Sequence, residues 1–440
     1  MKVKIIVLFY AVISVLLLSG CQPTPETDVI VSSGTNKENF GYRCRISEMD
    51  VPEVWIEKDI KKSSVYTISA NAQIDIPNEG QCRGVTVQRI CFDKAKIQNI
   101  AEKFVSDISE IHIRDIELTK REIMEMIVDY EHQLAEGVER SDILESEINV
   151  ILEELYLRLE TAPENKKYGT LDFDAIPSDE EYFGEFTFKG RTMIISGIMC
   201  GSSINIAPQG IVQYEGWNLG DEILNIGDVG IEEHDAVRAS EEFISGMQND
   251  NMAVIAVKKA RIVELNSGSI IPIYMVTYGK TYEGLSTVDI GTDYTTYPTT
   301  AVSDYAAPWP QDIINVYVSS DGVIGLSWNG ASCVVYIEET ECEMISFSQI
   351  QDRIREQLSY RYSYLDDEMY ANIESIDICI DQIRLGYCIA GIKDNAMQSR
   401  LVPAWYVLYR EFAEEDGSGT DAVLVIHAET GEILDPRITR

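Results

Sequence analysis

One stretch of this chain is written twice. Ile270-Ile-Pro272-Ile-Tyr274-Met-Val276-Thr-Tyr278 returns as Leu401-Val-Pro403-Ala-Trp405-Tyr-Val407-Leu-Tyr409, with proline, an aromatic ring, valine and tyrosine at matching offsets. Each copy follows a capped helix and one long apolar strand, and precedes a hairpin pattern centred on glycine, Gly322 in one and Gly431 in the other. A poorer copy ends around Gly210. Repetition of this kind marks duplicated supersecondary units that share one core. The alternating strands fit sheets with one face under a helix and the other toward water. The expected fold class is therefore α+β, as tandem units of one helix packed on an antiparallel meander sheet.

The remaining elements follow from periodicity. Strand alternation falls near 64–76 and 84–90. Asp93 reads as an N-cap for a helix carrying Ile97, Ile100, Phe104 and Ile108. Thr119-Lys-Arg-Glu122 is a capping box before Ile123, Ile127, Tyr130 and Leu134, with Gly137 as the stop. A second helix over 141–160 places Leu144, Ile148, Ile151, Leu155 and Leu159 on one face. The two predict an inserted antiparallel helical hairpin that packs on the protein's own sheet. Strands are predicted at 183–189, 191–199, 203–207, 211–215, 252–265, 270–279, 313–319, 323–328, 373–392, 401–412, 421–427 and 431–434. Asp235 and Ser346 are read as helix caps. The expected units are 46–220, carrying the hairpin, then 221–340 and 341–440.

The amino terminus carries an address. Lys2 and Lys4 precede an apolar run from Ile5 to Leu18, and Leu18-Ser-Gly-Cys21 closes it. That is a secretory signal whose first mature residue is a lipid-accepting cysteine. The run is shorter than the ~20 residues a membrane span needs. Residues 1–20 are read as signal and 21–45 as a tether rich in proline and small polar residues. The protein is expected at the cell membrane, held by lipid on Cys21 and facing outside the cytoplasm.

Charge excludes one partner class. With 73 acidic against 36 basic residues the formal charge is −37, and a field of that sign repels nucleic acid. Eight cysteines remain beyond Cys21. Outside the cytoplasm they can form disulfides or stay as buried thiols. Cys82 and Cys91 flank one strand and are not expected to pair, because nine extended residues span about 30 Å.

Catalytic signatures are missing. His112, His132, His234 and His427 form no close ligand pair, and there is no GxSxG elbow, Walker loop, GxGxxG or CxxC. The acidic stretches at 172–181 and 414–421 read as solvated loops, the second lacking the glutamate that closes an EF-hand. No cofactor, metal or enzymatic activity is expected. The long segment 283–311 holds Tyr294, Tyr297, Tyr305 and Trp309. These rings are candidates for stacking on a sugar or peptide; the other reading is that they pin the loop to the body.

Two resemblances attach to these residues. Cys21-Gln-Pro-Thr-Pro-Glu, Pro308-Trp-Pro-Gln-Asp-Ile and Leu401-Val-Pro-Ala-Trp405 resemble an uncharacterised family of clostridial lipoproteins, a domain-of-unknown-function family. Trp405-Tyr-Val and Val425-Ile-His-Ala-Glu-Thr-Gly431-Glu-Ile are similar to the strand pair of PepSY-type modules and of Yyc-type extracytoplasmic regulators. The chain departs from the latter in having a lipidation signal in place of a transmembrane helix. The likenesses imply binding of a peptide, wall component or partner protein at the cell surface. Their alternative is regulation of a membrane sensor kinase or protease, with a cell-wall hydrolase a weaker third.

Overall fold

Three strands begin the fold: β1 (Val54–Lys62), β2 (Tyr66–Asp75) and β3 (Arg83–Arg89). The computed structural model describes residues 43–77, 82–115, 117–136, 145–167, 169–215, 224–247, 251–265, 267–288, 290, 295–296, 307–366, 375–392, 395–413 and 419–434. After β3 the chain leaves its first sheet. Helix α1 (Lys94–Ala101) starts on Asp93, whose carboxylate accepts the Lys96 amide at 3.0 Å. It is shorter than its periodicity predicts, and Ile108 falls in a separate 3₁₀ turn. Helix α2 (Lys120–Glu136) opens on the expected capping box. The Glu122 amide donates to Thr119 Oγ1 at 3.3 Å, and the Thr119 amide donates to Glu122 Oε2 at 2.9 Å. Helix α3 (Glu145–Thr161) runs back alongside, so that the Lys120 amide reaches the Pro163 carbonyl at 2.9 Å.

The hairpin departs from expectation in what it packs on. Ile123, Ile127, Ile148, Leu152 and Leu155 form a core of their own with Ala162, separate from the sheet cores. Two facing apolar stripes satisfy each other, which leaves no stripe for the sheet.

A second sheet follows. Its long strands are β4 (Glu181–Phe188), β5 (Arg191–Ile198), β6 (Ile204–Pro208) and β7 (Gly210–Tyr214). Then come helix α4 (Glu233–Ile244), β8 (Met252–Glu264), β9 (Ile270–Tyr282), β10 (Ile313–Ser319) and β11 (Gly322–Asn329). Helix α4 starts before Asp235, which sits in its first turn. A carboxylate there favours the helix dipole without capping it. The spatial order is β4-β5-β6-β11-β10-β9-β8-β7. Because β6 and β7 are separated only by Gln209, one run bonds β5 and β11 with its first half and β8 with its second. The sheet thus curls back on itself. Gly210 lies at the crossing point, where a Cβ would fall 2.6 Å from both Ile262 Cγ2 and the Val263 carbonyl oxygen.

The chain then returns to the first sheet as β12 (Ser332–Glu341), α5 (Phe347–Arg361), β13 (Ile376–Ile392), β14 (Asn395–Ala413), β15 (Gly419–His427) and β16 (Ile433–Leu434). Strands β1–β3 and β12–β16, far apart in the chain, share one sheet. β2 pairs in parallel with β13, Tyr66 opposite Ile376. β3 pairs with both β14 and β12. Phe347, Ile350, Ile354 and Leu358 of α5 fill the face of this sheet with Trp55, Tyr66, Ile68 and Trp405. The result is a sheet-rich α+β fold with five α-helices among the described residues.

This pairing divides the chain differently from the expected run of units. Strands at 54–89 join 332–434, while 181–214 join 252–329, so the 46–220 stretch is spread over both sheets. Local pattern marks a strand but does not name its partner. The end of the expected tether also differs, for Arg43–Cys44 pair with Met344–Ile345 and Ile46 enters the core.

Candidate functional site

Of the four candidate aromatics, Tyr294, Tyr297 and Tyr305 lie outside the described residues, as does Cys21. Trp309 is described, and its place corrects the stacking expectation. It is 2% exposed, in the same core as Trp405 and Tyr387. A ring so enclosed presents no face to a sugar or peptide. Its size drives it inward, and it fastens the end of the long loop to the first sheet.

A different site forms where the chain changes sheets. The outgoing crossing is Arg89–Cys91 and the returning one Ala331–Cys333. They lie side by side, with the Ile90 amide donating to the Ala331 carbonyl at 2.8 Å. Around them is a cleft of ≈ 440 Å³, lined by Arg89, Ile90, Cys91, Ser332 and Cys333 of the crossings, Lys96 of α1 and Lys280 of β9. Three cations meet here in a chain with twice as many acidic as basic residues.

Their surroundings differ. Lys280 and Asp312 are both buried, at 1% and 2%, with Nζ 3.4 Å from Oδ2. The Trp328 indole donates to Asp312 Oδ1 at 2.9 Å, and the Ser332 amide and hydroxyl donate to Oδ2 at 2.8 and 2.9 Å. Burial pushes the Asp312 carboxyl up, against the opposing pull of Lys280 and these donors. Lys96 is partly exposed and lies 3.3 Å from Asp93. Arg89 makes no ion pair among the described residues. One guanidinium nitrogen donates to the Cys200 carbonyl at 3.0 Å, and the buried Nε has no hydrogen-bond partner. An Arg nitrogen buried without an acceptor is a costly arrangement, which Arg191, Arg384 and Arg400 share at Nε.

Among the described residues there is no group of three His, Cys, Asp or Glu side chains placed to hold a metal. His234 lies on the exposed start of α4, 3.6 Å from Asp235. His427 is buried in β15, where burial and the Arg400 charge depress its pKa to about 3, leaving a neutral ring.

None of the three cleft cations stands out in the sequence. The usable signal is Lys280, a charge at the end of an otherwise apolar strand, which demands a buried partner.

No protein-family model matches the chain, and no curated protein matches it. Among solved structures the chain is similar to an uncharacterized protein from Eubacterium rectale ATCC 33656, at a TM-score of 0.47 and 12% identity, over 89% of this chain and 95% of that one. No helix among the described residues is long and apolar enough to cross a membrane.

Proposed function

We propose that this protein is held at the outer face of a cell membrane by lipid on Cys21, and that it binds, without catalysis, a carboxylate-bearing ligand in the cleft between its sheets. An acidic peptide or an acidic wall component has the right chemistry. The observation that carries the binding half is Arg89, a guanidinium with one carbonyl partner and an unsatisfied buried Nε beside two lysines. A planar fork of donors is suited to a carboxylate, which it can grip at two points. The address half is supported by the Lys2 to Cys21 signal.

The same reading takes α4-β8-β9 and α5-β13-β14 as two copies of one unit. Matching registers support it. Tyr274, Val276 and Tyr278 of β9 lie opposite Val318, Val316 and Ile314. Trp405, Val407 and Tyr409 of β14 lie opposite Ile426, Leu424 and Ala422 in the same sense and spacing.

The test is titration calorimetry with tri-glutamate. Arg89→Gln removes a charged bond worth about 1.5–3 kcal/mol, so the affinity of the folded variant is expected to fall at least about tenfold. Equal affinity of the variant and the parent rejects the cleft.

A further inference from the structure

Cys82 and Cys342 sit at the outer ends of the two strands that lead into and out of the second sheet, Cys82 just before β3 and Cys342 just after β12. β3 and β12 are antiparallel, with Ser332 opposite Arg89 at one end and Glu341 opposite Arg83 at the other. One more step along that last register sets Cys342 against Cys82, and the Cys342 amide donates to the Cys82 carbonyl at 2.7 Å. Residues opposed in an antiparallel ladder have Cα atoms about 4.5–5.5 Å apart, inside the range of about 4.4–6.8 Å that a disulfide accepts. Both residues belong to the first sheet's core, at 0% and 4% exposure.

No other two cysteines oppose each other in a strand register among the described residues. Cys44 faces Met344, Cys333 faces Gln88, Cys379 faces Arg410 and Ser69, and Cys388 faces Val402. Cys82 and Cys91, like Cys333 and Cys342, are nine residues apart along one strand each, a spacing that speaks against pairing within either strand. The fold uses the two strands instead, bringing one end of each together.

We propose that Cys82 and Cys342 form a disulfide in the mature protein. The sulfur–sulfur bond forms as each thiol loses a proton and the pair gives up two electrons to a thiol oxidant, a small or protein disulfide that leaves as two thiols. The bond closes a loop that contains the whole second sheet, and it ties β3 to β12 at the end of their ladder away from the cleft. Contact with the Cys342 thiol, followed by burial, holds the Cys82 thiol well above its ordinary pKa. Thiolate is therefore scarce once the core has closed, so oxidation belongs to folding rather than to the finished protein. The inference rests on the extracytoplasmic address for the oxidant in the cell. Refolding with a supplied oxidant tests it apart from that address.

The experiment refolds the reduced full chain with oxidised glutathione, blocks free thiols in denaturant with a maleimide, and measures intact mass and non-reduced peptides. The expected product carries two fewer maleimides than the reduced control and yields one linked pair, Cys82 with Cys342. The C82A/C342A variant is expected to show no difference between oxidised and reduced samples. Full labelling of the parent after oxidation, or a link through any other cysteine, overturns the proposal. The parent chain alone decides the matter should the variant fail to fold.

Discussion

Lys280 Nζ and Asp312 Oδ2 face each other at 3.4 Å in the interior, between the cleft and the second core. Removing one partner strands the other charge away from water. Lys280→Met or Asp312→Leu alone is expected to cost about 3–5 kcal/mol, and the double variant to recover much of that loss because it buries no lone charge. Urea denaturation of the two single variants and the double variant measures the difference. Single variants as stable as the parent would show that the pair does not hold the site.

His427 sets a pH dependence. Its folded pKa of about 3 lies below the value of about 6.5 for an unfolded chain. Between these values the unfolded state binds the extra proton, so stability rises with pH. The contribution is complete above about pH 6.5 and is lost as pH falls toward 3, at up to about 1.4 kcal/mol per pH unit. The Glu429 amide donates to His427 Nδ1 at 3.2 Å, an acceptor role that asparagine can keep. His427→Asn is expected to flatten the stability profile between pH 5 and 7, where carboxylates contribute little. A slope equal to the parent's would assign the effect elsewhere.

Trp309→Ala is expected to destabilise the protein by about 3–5 kcal/mol, the usual cost of deleting a buried aromatic. Thermal and chemical melts read it directly. Tri-glutamate affinity of the folded fraction is expected to stay unchanged, since Trp309 does not line the cleft. A loss of affinity with unaltered stability would restore the aromatic loop as the binding surface.

Cys21→Ala is expected to move the protein from the membrane fraction to the soluble fraction when cells are separated by centrifugation. Retention on membranes at the parent's level would remove the lipid from the account.

What could be read from the sequence depended on burial. Caps at Asp93, Thr119 and Ser346 are local hydrogen-bond chemistry, and each is where its residues place it. Strands with one face in a core, such as β9 and β14, announce themselves by apolar residues. β1 and β12 escaped notice because both are edge strands. Their burial is slight, and Glu57, Lys58, Lys61 and Lys62 in one and Glu338, Glu339 and Glu341 in the other break the alternation. The cleft was illegible for a further reason. Arg89, Lys96 and Lys280 lie on three separate elements, and only the strand pairing brings them to one place.

The parallel pairing of β2 with β13 has a consequence for the order of events at synthesis. Tyr66 and its partner Ile376 are 310 positions apart, whereas β4 to β11 find all their partners within one contiguous stretch. The inserted sheet can finish while the opening strands still wait for the carboxy-terminal ones, and non-local closure is the slow step. Throughout that delay β1 and β2 are naked templates for foreign strands. The dense charge on β1 is then a guard for the nascent chain as much as a finish for the mature surface.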